Sequence, residues 1–107
     1  MEKMKLIYTA CFYLNEAGKG YTVTVPDLPG CTTFGNDLNE ALEMAVDAAS
    51  GWILGELEDG ESIPETTDIT DVIIDDKLNI NGKAFKTLIT LDIDTYAEKY
   101  GEKAIRK

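Results

Sequence analysis

Histidine is absent from these 107 residues, and that gap removes several chemistries at once. Without it there is no Ser-His-Asp or Cys-His nucleophile system and no histidine-ligated metal within the chain. Cysteine is scarce as well: Cys11 and Cys31 are too few for a disulfide framework or a four-ligand metal site. Both fall in β-prone runs, where a small buried thiol is the expected outcome. No apolar run approaches a membrane span, and the N-terminal residues do not form a signal peptide. The expected compartment is therefore the cytoplasm, with reduced thiols. Basic residues are the other shortage, ten against twenty acids, for a net charge of −10. Such a surface repels phosphates, which argues against nucleic-acid binding, and it favours either solubility alone or a basic protein partner.

The length supports one domain with a single modest core. Its organising stretch is residues 21–41. Tyr21, Val23 and Val25 alternate with Thr22 and Thr24, the period of a half-buried strand. Pro26 and Pro29 cannot donate to a ladder, and with Asp27, Leu28 and Gly30 they make a turn in which Asp can bond its own backbone. Cys31 to Phe34 is β-prone again and Gly35 ends it. Asp37, with Glu40 three residues on, reads as a capping box opening a helix, with Asn36 as the rival cap.

Around that stretch, residues 6–14 are apolar on both sides and predict a central strand or one covered on two faces. Residues 15–20 form a polar hairpin loop with two glycines. The helix is predicted over residues 38–57, with Leu38, Leu42, Ala45, Ala49, Trp52 and Ile53 as its buried stripe and Gly60 as its C-terminal stop. Gly51 and Gly55 inside it imply a close contact or a marginal last turn. Residues 71–80 admit a short strand around Val72, Ile73 and Ile74. Residues 84–93 predict a stronger strand, and Asp94 is expected to cap a short helix over residues 95–100 that Gly101 stops. The tail from Glu102 to Lys107 has no evident core role. The fold class is α+β, an antiparallel sheet under one main helix in βββαβ order, plus a short C-terminal helix.

Carboxylates are the abundant chemical groups, but their spacing matches no metal or glycosidase pattern. Asp27 reads as a turn former, Asp37 and Asp94 as caps, Glu40 as half of a capping box and Asp92 as a strand-end acid. Residues 75–82 resemble a calcium loop only superficially, lacking the alternating ligands and the terminal Glu. Trp52 reads as core or interface. Neither an enzyme nor a cofactor is expected.

Taken together, several short motifs resemble the HicB antitoxin family of type II toxin–antitoxin systems. They are Gly20-Tyr21, Pro26-Asp27-Leu28-Pro29-Gly30-Cys31, residues 35–41 at the helix start, and Asp59-Gly60-Glu61-Ser62-Ile63-Pro64 after it. Residues 92–106 also resemble the later part of longer members. The resemblance implies a degraded ribonuclease-H-like core that binds a small, basic HicA-like ribonuclease toxin. It also implies a C-terminal DNA-binding module by which full-length members regulate their own transcription. Residues 1–94 correspond to the toxin-binding domain. Residues 95–107 correspond to a short helix and tail leading toward that module, which this chain lacks, so DNA binding by this chain alone is not expected. On the family reading, Glu56, Glu58, Asp59 and Glu61 are the candidate toxin contacts. An open sheet edge further predicts a homo-oligomer, dimer or tetramer. The alternative is a stand-alone oligomeric ligand- or protein-binding domain with no toxin partner, and no membrane association is expected on either reading.

Overall fold

Residues 5–14 sit at the centre of the sheet because both of their faces are apolar enough to be covered. The computed structural model describes residues 4–100 and places strands β1 (Lys5–Leu14), β2 (Tyr21–Thr24), β3 (Thr32–Gly35) and β4 (Phe85–Asp92) in the spatial order β3-β2-β1-β4. Every pairing is antiparallel. Helix α1 (Leu38–Glu58) follows β3, and helix α2 (Ile93–Tyr100) follows β4. On the α1 side, β1 contributes Tyr8, Ala10 and Phe12 to a core shared with Val23, Val25, Ile89 and Leu91. On its other face Cys11 and Tyr13 are buried against Val72, beside Ile74 and Ala84. One end of the sheet is closed by aromatic rings, Phe12 stacked on Phe85 with centroids 4.9 Å apart and Tyr21 edge-on to both.

Helix α1 starts as its sequence prescribes. Asp37 accepts from the Glu40 amide at 2.8 Å, while the Glu40 carboxylate reaches back to the Asn36 amide at 2.6 Å. Asp37, not Asn36, is therefore the cap. The helix ends with Gly60 at φ +74°. The Gly60 amide donates to Leu57 and the Glu61 amide to Glu56, which satisfies carbonyls that a helix end otherwise leaves open.

The buried face of α1 differs from the expected stripe. Ala41, Ala45, Ala49, Ser50, Ile53 and Leu54 face the sheet, whereas Leu38 and Leu42 are 50% and 43% exposed. The reason lies in Gly35. A Cβ there would stand 2.2 Å from the Ala41 nitrogen, so strand and helix backbones meet at this point and only Ala can lie between them. That contact rotates the alanine row inward and turns Leu38 and Leu42 outward. Trp52 does not lie beneath the sheet either. It is half-buried at the core margin, and its Nε1 donates to the Pro29 carbonyl at 2.9 Å, tying α1 to the β2–β3 turn.

Three further expectations are corrected. Residues 72–74 join no ladder: a short 3-10 turn at Ile69–Asp71 precedes them, and they cross the sheet face rather than extend its edge. The start of α2 is held by Asp92, whose Oδ1 accepts from the Thr95 amide at 3.1 Å, while Asp94 accepts from the Met4 amide. The helix begins earlier than predicted because Ile93 still donates to the Met4 carbonyl as it leaves the sheet. Gly55 has no neighbour within 4 Å of a built Cβ, so no close contact explains it; at Gly51 the neighbour is the Tyr96 hydroxyl, at 3.0 Å. The stop at Gly101 and the tail 102–107 lie outside the described residues, as do residues 1–3.

Candidate protein-interaction surface

The turn between β2 and β3 is built by its own backbone bonds. The Val25 amide donates to Cys31, Leu28 to Val25, and Cys31 to Leu28, with Gly30 at φ +79° closing the path. Pro26 and Pro29 remain at the surface while Leu28, between them, is buried in the core at 1% exposure. Asp27 does not bond its own backbone here. Its carboxylate accepts from the Thr67 amide and the Thr67 hydroxyl, both at 2.7 Å, so the turn captures the segment that follows α1. The Tyr8 hydroxyl donates to the Pro64 carbonyl nearby. Burial, and then the Asp27 charge, push the Tyr8 hydroxyl above its ordinary pKa and keep it a donor. Two latches thus fix the path of residues 64–67.

The acidic candidates lie just before that segment. Glu58, Asp59 and Glu61 are exposed and Glu56 is half-buried, all at the C-terminal end of α1, whose last turn carries no basic residue. The helix dipole adds its negative end to the same place, so charge of one sign is concentrated there. No lysine or arginine occurs between Glu56 and Asp76, and Glu65, Asp68, Asp71 and Asp75 continue the run. Hydrogen bonds from the Thr70 hydroxyl and amide hold the exposed Asp68 carboxyl below its ordinary pKa, so it stays ionised. The four candidates therefore share an anionic pole at the C-terminal end of α1.

A second surface was not legible in the sequence. Leu42, Val46, Tyr96 and Tyr100, with Glu43 and Asp47, line a groove of about 520 Å³ between α1 and α2, open beside Thr90 and Asp92 of β4. The helical period hides it, because by spacing alone Leu42 belongs to the core stripe. Burial first, and then the charges of Asp47 and Tyr100, keep the Tyr96 hydroxyl protonated well into the alkaline range.

The carboxylates at strand and helix ends serve as backbone acceptors at separate places: Asp27 at Thr67, Glu40 at Asn36, Asp92 at Thr95 and Asp94 at Met4. Among the described residues no group of three or more histidine, cysteine or acidic side chains is placed to hold a metal ion. In the calcium-like stretch, the side-chain oxygens of Asp75, Asn79 and Asn81 accept from Lys77, Ala84 and Lys83 amides, closing turns. Cys11 and Cys31 are buried free thiols, pushed above their ordinary pKa by burial. Among the described residues no helix is long and apolar enough to cross a membrane. Of the signature residues, Tyr21, Gly35 and Cys31 hold the sheet and the helix contact, Asp37 and Glu40 start α1, and Trp52 and Asp27 fasten the turn.

Comparison with known proteins places this geometry in context. Residues 8–105 match the model of the HicB-like antitoxins of bacterial toxin–antitoxin systems. An uncharacterized 14.9 kDa protein from the rep–hol intergenic region of Haemophilus phage HP1 is 40% identical over 68 residues, which are 64% of this chain and 50% of that protein. The chain thus spans about half the length of that relative. Among solved structures, a chain of a toxin–antitoxin complex from Streptococcus pneumoniae superposes with a TM-score of 0.75 at 22% identity, covering 87% of this chain and 73% of that one. The N-terminal domain of the Burkholderia pseudomallei antitoxin HicB superposes with a TM-score of 0.63 at 20% identity, covering 81% of this chain and 99% of that one. At these identities the structural likeness establishes the fold.

Proposed function

The chain belongs to the HicB-like antitoxin family of bacterial toxin–antitoxin systems, and from that premise we propose that it binds and neutralises a small, basic, HicA-like ribonuclease toxin in the cytoplasm. The observation that carries this reading is the anionic pole at the end of α1, where Glu56, Glu58, Asp59 and Glu61 gather. A toxin that grips RNA through a basic face meets there a surface of opposite sign. That surface can occupy the face without offering a phosphate to cleave. Glu58, Asp59 and Glu61 supply exposed charge, and Glu56 lies at the margin where apolar contact begins. Catalysis has no part in this reading: the chain acts by occlusion. The net charge of −10 opposes DNA binding by these residues. Transcriptional autoregulation would require a DNA-binding module of the kind longer family members carry.

Co-expression with a ribonuclease toxin of this type tests the proposal. Growth should recover when the chain is present, and purified toxin should lose RNA cleavage on titration with it. Glu58→Lys with Asp59→Lys should slow association about tenfold at low salt while leaving the fold intact, because steering by opposite charge acts mainly on the on-rate. Toxin activity that is indifferent to the chain, or tight binding of operator DNA by this chain, would overturn the reading.

A further inference from the structure

We infer that the groove between α1 and α2 is an arginine-recognition site, which takes an arginine side chain presented by a basic protein partner. The source of that arginine rests on the antitoxin reading above, whereas the recognition itself rests on the groove alone.

The first observation is the chemistry of the lining. Leu42 and Val46 of α1 and the Tyr96 and Tyr100 rings of α2 make an apolar wall, with Glu43 and Asp47 beside it. The two rings lie 4.6 Å apart between centroids and are tilted by 43°, too close to admit a group between them. They therefore form one aromatic surface, and such a surface attracts a cation laid across it. Among the described residues, neither Glu43 nor Asp47 is held in a hydrogen bond or an ion pair. Asp92 is engaged by the Thr95 amide, and Lys99 also borders the groove, so the two exposed carboxylates of α1 carry the recognition.

The second observation is how the wall is positioned. Gly51 lies inside α1, where glycine weakens a helix, and a Cβ built there would come within 3.0 Å of the Tyr96 hydroxyl. The missing side chain lets that hydroxyl rest on α1. Asp47 is close enough that its charge, after burial, raises the Tyr96 pKa. Ring and carboxylate thus stand side by side, which is the pairing a guanidinium needs: its plane lies on the aromatic face while its edge donates to the carboxylate. Leu42 and Val46 then receive the methylene stem. A lysine matches the charge but not the plane, a neutral group gains nothing from the carboxylates, and a phosphate is repelled by them.

The place of the groove on α1 suits the same partner as the acidic pole. Glu58 follows Asp47 by 11 residues, about three helical turns or ~16 Å, so the two lie on one side of the helix. A basic protein seated on the pole can therefore reach the groove with an arginine. The pole acts at long range on the approach, whereas a fitted pocket acts on how long the partner stays.

NMR titration of the chain with Nα-acetyl-arginine methylamide tests the recognition, with the citrulline and lysine counterparts as controls for charge and shape. The arginine probe should shift the amides of residues 42–51 and 95–100 saturably. Citrulline has the same shape without the charge and should bind about tenfold more weakly, and lysine about threefold more weakly. Glu43→Gln with Asp47→Asn should weaken the arginine probe about tenfold and Tyr100→Ala about threefold, with circular dichroism confirming each fold. At about 0.15 M salt, Glu58→Lys with Asp59→Lys should leave the probe's affinity unchanged, because the pole lies beyond the screening length. Equal binding of arginine and citrulline, or shifts centred on residues 56–61, would overturn the site. Against a HicA-like toxin that the chain neutralises, Glu43→Gln with Asp47→Asn should speed dissociation about tenfold, whereas the pole variant slows association. Unchanged dissociation would overturn the toxin as the source of the arginine. A toxin that the unaltered chain does not bind would overturn the antitoxin reading instead, and the probe titration decides the groove separately.

Discussion

Replacing Gly35 by alanine adds one methyl group at the tightest backbone contact described, and its cost can be worked from the geometry. The new Cβ would lie 2.2 Å from the Ala41 nitrogen, 2.3 Å from its Cα and 2.8 Å from the Glu40 carbonyl carbon. All three are backbone atoms, so no rotamer change relieves the clash. Ordinary contact begins at 3.4 Å, and the first turn of α1 must therefore retreat from β3 by about 1.2 Å. That movement separates Ala41 and Ala45 from the sheet and pulls at the Asp37–Glu40–Asn36 cap. Overpacking of this kind costs about 1–3 kcal/mol, and weakening the cap adds about 1, giving roughly 2–4 kcal/mol. In urea, with a slope typical of a small domain, the midpoint should fall by about 2 M. Gly55→Ala is the matched control. Nothing lies within 4 Å of its Cβ, so the same substitution in the same helix should stabilise by about 0.5–1 kcal/mol. Gly51→Ala should fall between them, since only the end of the Tyr96 side chain must move. Urea unfolding followed by circular dichroism and by Trp52 fluorescence measures all three. If Gly35→Ala stayed within about 1 kcal/mol of the unaltered chain, or Gly55→Ala proved equally damaging, the backbone-contact argument would be wrong.

Asp27→Ala should release the segment that follows the acidic pole. It removes both bonds to Thr67 and should cost about 2–3 kcal/mol. Amide exchange should rise at residues 61–68 but not in β1 or β4, and the Tyr8 hydroxyl should titrate at lower pH once the Asp27 charge is gone; uniform acceleration across the sheet would count against the latch. Alkaline pH should unfold the domain. Burial raises the folded pKa of Cys11, Cys31, Tyr8, Tyr13 and Tyr96, so the stability tied to their neutral forms is whole below the unfolded thiol value near pH 9 and is lost as pH rises through the folded values. Urea midpoints should hold level to about pH 8.5 and then decline, and a midpoint that climbed above pH 9 would contradict the assignment.

Much of this protein was decided within short stretches of its sequence. Helix α1 was expected over residues 38–57 and runs from Leu38 to Glu58, because its start depends on Asp37 and Glu40 and its end on Gly60, groups that bond within one turn of chain. The four strands and the family resemblance were legible for the same reason: alternation and turn residues act on nearest neighbours. Which strands end at the sheet edges was not legible, since only the spatial order β3-β2-β1-β4 leaves β4 bonded on one side. Nor was the inward face of α1, because the helix carries two apolar rows and only the Gly35 contact selects the alanines over Leu38 and Leu42. Val72 and its neighbours have β propensity, yet no strand edge is offered where they pass, and Val72 packs on the face of Cys11 and Tyr13 instead. Asp92 displaces Asp94 as the cap of α2 because the pairing of Lys5 with Asp92 determines where the chain leaves the sheet. Asp27 looked local and proved to be long-range, since its partner Thr67 comes within reach only after α1 has crossed the sheet. Bonds between near neighbours were readable from the sequence. Choices between rival faces and distant partners depended on the packed structure, where one steric contact excludes the alternative.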